Sequence, residues 1–118
     1  MPVADTNQRG AASRNDPAAL ILTSLASGAK HGYALQQDIE TFAGVRLGPG
    51  TLYGAIGRLE ERGLIEAVGP VGRKRPYRLS PAGADALEAT LAELRAIVDE
   101  GTSRLARSGR IATAGGTA

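Results

Sequence analysis

The sequence contains no cysteine, which excludes a disulfide, a thiolate metal site and a cysteine nucleophile. It contains no tryptophan, and its aromatic content is only 3%. A core must therefore be built from Leu, Ile, Val and Ala. The one histidine, His31, precedes a glycine at an expected helix start, where a capping or packing role fits better than general-base chemistry. No nucleophilic triad, glycine-rich phosphate loop or metal-ligand spacing occurs, so no catalytic residue, cofactor or metal is expected. The adjacent acids Glu60-Glu61 and Asp99-Glu100 point apart on helices instead of converging as a dyad. The longest strongly apolar run, Ala18 to Leu22, is too short to cross a bilayer. Met1 to Asn15 show no apolar signal core, and the expected location is cytoplasmic.

What is present is one domain's worth of chain: 118 residues, 42% hydrophobic. The net charge of +2 conceals an asymmetry. Residues 46–79 carry seven bases and three acids, net +4, whereas residues 80–100 carry one base and five acids, net −4. A basic middle followed by an acidic stretch suggests that one face meets an anion and another does not, and it also fits ordinary solvated charge.

Residues 1–15 are small and polar and read as a flexible N-terminal arm. Asp16-Pro17 supplies an N-cap and a first-turn proline. The first helix runs to about Ala26, burying Leu20, Ile21 and Leu25, and Ser27-Gly28 stops it. A second helix spans about His31 to Phe42, with Leu35, Ile39 and Phe42 on one face. A third spans Pro49 to about Arg62, with Leu52, Ile56 and Leu59 as its stripe, and Gly63 closes it. Leu64 to Val68 and Pro76 to Leu79 read as two strands around a turn marked by Gly69, Pro70 and Gly72. Ser80-Pro81 caps a fourth helix that runs to about Glu100 and on towards Leu105, and residues 106–118 form a loose tail. The predicted fold is mostly α with a small β wing. Residues 16–79 form a winged helix-turn-helix in the order helix, helix, helix, strand, strand, helix, and residues 80–105 form an appended helix.

In that fourth helix, Ala84, Leu87, Leu91, Leu94, Val98, Gly101 and Leu105 alternate at spacings of three and four, a heptad seam suited to homodimerisation. The same spacing fits a helix packed along its own domain. A small-molecule effector pocket between this helix and the first would be lined by Leu20, Leu87, Leu91 and Leu94.

A third helix with an apolar back leaves Thr51, Tyr53, Gly54, Gly57 and Arg58 facing outward. Gly48-Pro49-Gly50 opens it with bare backbone amides, suited to a phosphate. Thr51 and Tyr53 add hydroxyls. Arg58 has the planar fork that matches guanine's major-groove acceptors, and it fits a phosphate or a neighbouring acid as well. Gly54 and Gly57 fit either close approach to a groove wall or simple tolerance of glycine. Arg73, Lys74, Arg75 and Arg78 give the hairpin a cationic tip for the DNA backbone or minor groove.

His31-Gly32-Tyr33, Pro49-Gly50-Thr51-Leu52-Tyr53, Leu59-Glu60-Glu61-Arg62-Gly63-Leu64-Ile65 and Arg75-Pro76-Tyr77-Arg78-Leu79-Ser80-Pro81-Ala82-Gly83 together resemble the PadR family of bacterial transcriptional regulators, over roughly residues 18–100. The resemblance implies a dimeric winged-helix repressor with a C-terminal dimerisation helix, relieved by a small aromatic or hydrophobic molecule. It also implies that Thr51 and Tyr53 touch the operator backbone and that Tyr33 lies near the DNA-facing end of the second helix. Gly48 stands where the family often has serine, and Gly54 where it often has proline or alanine. The absence of tryptophan argues against stacking of a planar drug. The competing reading is a winged-helix adaptor that binds protein instead of DNA.

Overall fold

The computed structural model describes residues 16–70 and 75–110. The expected N-terminal arm, most of the tail, and Arg73 and Lys74 of the wing tip lie outside the described residues. The elements are α1 (Pro17–Leu25), α2 (Gly32–Ala43), α3 (Pro49–Glu61), β1 (Ile65–Ala67), β2 (Tyr77–Leu79) and α4 (Pro81–Arg107).

Local chemistry sets the boundaries. Asp16 accepts the Ala18 amide at 3.1 Å, and Pro17 takes the first helical position, where its missing N–H costs nothing. Gly44 ends α2 in the left-handed region, at φ 68°. Gly63 does the same after α3, at φ 76°, and lets the Leu64 amide reach back to the Leu59 carbonyl at 3.0 Å. Ser80 opens α4: its hydroxyl accepts from the Gly83 amide at 3.0 Å and donates to the Gly63 carbonyl at 2.6 Å. That hydroxyl ties the start of α4 to the turn that follows α3.

The core is aliphatic. Leu20, Ile21, Leu22 and Leu25 of α1 meet Leu35 and Ile39 of α2, Leu52, Ala55, Ile56 and Leu59 of α3, Ile65 of β1 and Leu87 of α4. Each such leucine or isoleucine removed from water contributes about 1.5–3 kcal/mol before ordering costs. α1 is the hub and packs against α2, α3, α4 and β2. Leu47, in the link between α2 and α3, is also buried, and its carbonyl accepts from Gln36 at 2.6 Å.

The expected core position of Phe42 is wrong. Phe42 is 46% exposed, and Ala43 packs on the core in its place. In the last turn of α2, positions 42 and 43 flank the Leu35–Ile39 stripe on opposite sides, and it is the Ala43 side that meets the core before Gly44 ends the helix. The fourth helix is also longer than its expected end near Leu105, continuing through Arg107.

β1 and β2 pair antiparallel in the register Ile65 with Leu79, Glu66 with Arg78, and Ala67 with Tyr77. A third segment joins them. Lys30 forms an antiparallel bridge to Tyr77, its amide donating to the Tyr77 carbonyl at 3.0 Å and its carbonyl accepting the Tyr77 amide at 2.9 Å. The wing is thereby stitched to the link between α1 and α2, which periodicity along the chain does not show.

Candidate nucleic-acid interface

Four buried residues, Leu52, Ala55, Ile56 and Leu59, anchor α3 and fix which face it turns outward. On that face Gly50, Thr51, Tyr53, Gly57 and Arg58 are exposed and Gly54 is half-exposed, as the helical period requires. The N-cap, Gly48, has no side chain to offer, and Pro49 has no N–H. The first-turn amides of Gly50 and Thr51 therefore point out of the helix without a side-chain cap, the arrangement that favours an anion.

Tyr53 leans from α3 onto the first residue of α2. Gly32 is buried beneath its ring, and a β-carbon on Gly32 would overlap the Tyr53 hydroxyl. Tyr33 follows, exposed, with its hydroxyl accepting from Gln37 at 2.9 Å. Both tyrosines mark the corner where the start of α2 meets α3. His31 occupies the N-cap of α2, is exposed and makes no capping hydrogen bond. The Arg58 guanidinium lies back over Gly54, where a β-carbon would stand 3.5 Å from Nη1. Ion pairs among the described residues join Arg46 to Glu40, Arg78 to Glu66 and Arg104 to Glu100, and Arg58 is in none of them.

The hairpin separates the wing cations. Arg75 is half-buried and donates to the Gly69 carbonyl at 3.5 Å, across the turn. Arg78 does not belong to the tip: it faces Glu66 in register and bonds it at 3.1 Å. A pair of this exposure is worth little in stability, about 0–1 kcal/mol, but it occupies the arginine.

Along α4, the seam residues divide. Leu87 is 7% exposed and belongs to the core of its own domain, as does Leu20. Leu94 is half-buried, and Leu91, Val98 and Leu105 are exposed. Ile97, outside the heptad seam, is the most exposed large apolar residue of the helix at 65%. It flanks Val98 and widens the uncovered stripe. Among the described residues no group of three or more His, Asp or Glu side chains is placed to hold a metal ion, and no helix is long and apolar enough to cross a membrane.

A recognition-like helix held on a three-helix core, a hairpin stitched beside it and a long helix leaving the domain have close counterparts. The model of the transcriptional regulator PadR-like family matches residues 21–89, more than half of the chain. The chain belongs to the PadR-like family. Members are transcriptional regulators and not enzymes, in keeping with a sequence that offers no catalytic constellation. Among solved structures, a PadR family transcription regulator from Clostridium difficile is 28% identical with a TM-score of 0.66, over 75% of this chain and 97% of that one. A transcriptional regulator from Clostridium thermocellum is 27% identical with a TM-score of 0.66, over 76% of this chain and 90% of that one. An uncharacterized 37.1 kDa protein in a transposon of Streptomyces fradiae is 50% identical over 74 residues, 63% of this chain. The chain spans about a fifth, 21%, of the length of that curated relative. The PadR-like match takes in α2, α3 and the wing and ends a third of the way along α4, before Leu91, Ile97, Val98 and Leu105.

Proposed function

We propose that this PadR-like chain is a repressor that binds duplex DNA as a homodimer on a pseudo-palindromic operator. The observation that carries this reading is the outward face of α3, where uncapped first-turn amides, two hydroxyls and an arginine in none of the ion pairs among the described residues stand together on a helix anchored by four buried residues. In this reading the Gly50 and Thr51 amides, the Thr51 hydroxyl and Tyr53 hold operator phosphates, with Tyr33 at the edge of the same contact. Arg58 extends from over Gly54 to a guanine edge. Gly54 keeps that stretch of α3 low enough for the backbone to near the groove. Arg73, Lys74 and Arg75 of the wing add phosphate or minor-groove contacts.

Homodimerisation rests on the stripe of Leu91, Leu94, Val98 and Leu105, broadened by Ile97, on the part of α4 that extends past the core. Leu87 supports it from inside by seating α4 on α1. Two-fold symmetry would then match two half-sites about one duplex turn apart. A small hydrophobic or aromatic effector would enter between α1 and α4, against Leu91 and Leu94. It would reach Leu20 and Leu87 only by parting the two helices, and that movement would alter the spacing of the recognition helices. A cytoplasmic location follows from this role.

The test is fluorescence anisotropy with DNA from the region upstream of the protein's own gene and with a scrambled duplex, titrated across salt. Tight, salt-steep binding to the upstream DNA alone supports the repressor reading. Equal, weak binding to both leaves a basic surface without specificity. Absence of binding at low salt, with a nuclease-resistant protein partner, replaces the reading with the adaptor.

A further inference from the structure

Lys30 is one of only two lysines among the 14 basic residues, and its side chain turns to the end of α1. Its ammonium donates to the Ser24 carbonyl at 2.5 Å, the Ser27 hydroxyl at 2.8 Å and the Gly28 carbonyl at 3.4 Å. These acceptors gather at the C-terminal end of α1, where carbonyls lack intrahelical partners and the helix dipole is negative. α1 has no basic residue of its own in its last turn. Three oxygens converging on one point suit an ammonium with three tetrahedral donors. The flat fork of arginine, which supplies the other cations outside the wing, does not fit such a cluster.

The acceptors are themselves fixed. Ser24 is 1% exposed and gives its own hydroxyl proton to Asp38 of α2 at 2.6 Å. The main chain of Lys30 is the segment that pairs with Tyr77 at the base of the wing, donating at 3.0 Å and accepting at 2.9 Å. One residue thus grips the end of α1 with its side chain and the first residue of β2 with its backbone, while Asp38 links the same cluster to α2. The hairpin's own closing bond, from the Val68 amide to the Pro76 carbonyl at 2.8 Å, does not involve it.

We infer that Lys30 is a positioning residue for the wing: its ammonium locks the link between α1 and α2, that link holds the hairpin at Tyr77, and the reach of the wing cations towards DNA is set without Lys30 touching DNA. The inference rests on the DNA-binding reading above, and its local half does not. With the ammonium gone, the Lys30 segment loosens and the hairpin swings from its base while its own ladder stays closed.

The experiment uses full-length wild type, Lys30→Met and Lys30→Arg, with amide exchange by NMR and duplex binding across salt on the same samples. The Tyr77 amide is expected to exchange ~10-fold faster in both variants while the Val68 amide stays protected, since one hydrogen-bonded charge steadies its own locality. Affinity for the upstream duplex is expected to fall ~10-fold with the salt slope unchanged, because a strut releases no counterions. Lys30→Arg keeps the charge, so its failure to restore protection and affinity identifies the three-way grip as the cause. A salt slope smaller by about one with Tyr77 still protected makes Lys30 a phosphate contact and overturns the inference. Unchanged exchange and affinity, or Val68 and Tyr77 loosening together, also overturns it. Wild type that binds no duplex, with Tyr77 selectively loosened in the variants, removes the DNA-binding reading and leaves the wing lock standing.

Discussion

The Tyr53 hydroxyl on α3 lies against the backbone of Gly32 at the start of α2, and a β-carbon on Gly32 would also come within 2.8 Å of Tyr53 Cζ. The two residues are 21 positions apart and set how closely the two helices of the helix-turn-helix meet. Gly32 has an ordinary helical backbone, so what demands glycine here is space and not a left-handed φ. Gly32→Ala is expected to destabilise the chain by about 1–3 kcal/mol through overpacking. Adding Tyr53→Ala should recover part of that loss, a coupling visible in a double-mutant cycle of thermal unfolding. Additive effects would mean that the ring moves aside freely.

Tyr53→Ala alone tests the interface. The ring is exposed on one side, so the fold should stand. Operator affinity should fall several-fold while the variant remains folded at the temperature of the assay. Full affinity in this variant would remove α3 from the proposed contact.

Two glycines inside helices, Gly83 and Gly57, should respond oppositely to a β-carbon. A β-carbon on Gly83 would strike the Leu64 carbonyl, so Gly83→Ala is expected to cost about 3 kcal/mol or more, the upper part of the overpacking range. A β-carbon on Gly57 meets nothing within 4 Å, so Gly57→Ala should stabilise the free protein by about 0.5–1 kcal/mol through helix propensity. If α3 comes close to the groove wall, the same variant binds operator more weakly while melting higher. Unaltered binding would assign the glycine to tolerance.

Wing cations should differ by position. Arg73→Ala and Lys74→Ala are each expected to lower the salt slope of binding by about one. Arg78→Ala should leave the slope nearly unchanged, because Arg78 is already bonded to Glu66 at 3.1 Å. A slope change at Arg78 equal to that at Arg73 would show that DNA draws it away from Glu66.

Two apolar residues on α4, Leu87 and Val98, should fail in different ways. Leu87→Ala removes a core side chain that is 7% exposed and should cost about 2–5 kcal/mol in unfolding free energy. Val98→Asp alters a residue that is 60% exposed, so it should leave the helical domain folded and shift the sedimentation profile to monomer. A dimer that survives Val98→Asp and a similar change at Ile97 would move the interface off this stripe.

Much of the architecture was written locally in the chain. Asp16-Pro17, Ser80-Pro81, Gly44 and Gly63 set helix ends because capping and left-handed backbone depend on a residue and its immediate neighbours. The stripe Leu52, Ile56 and Leu59 gave α3 its inward side, and with it the outward set at Thr51, Tyr53 and Arg58, because a helix repeats every 3.6 residues wherever it sits. Tertiary structure decided what depends on partners distant in sequence. The packing of the last turn of α2 put Ala43 against the core and left Phe42 outside. Strand register brought Arg78 to Glu66, and the packing of α1 on α4 took Leu87 out of the exposed seam. The need for glycine at Gly32 and Gly83, and the grip of Lys30 on both α1 and the wing, arise where separate segments touch. A pattern along the chain encodes the face a residue turns, and only the fold supplies what that face meets.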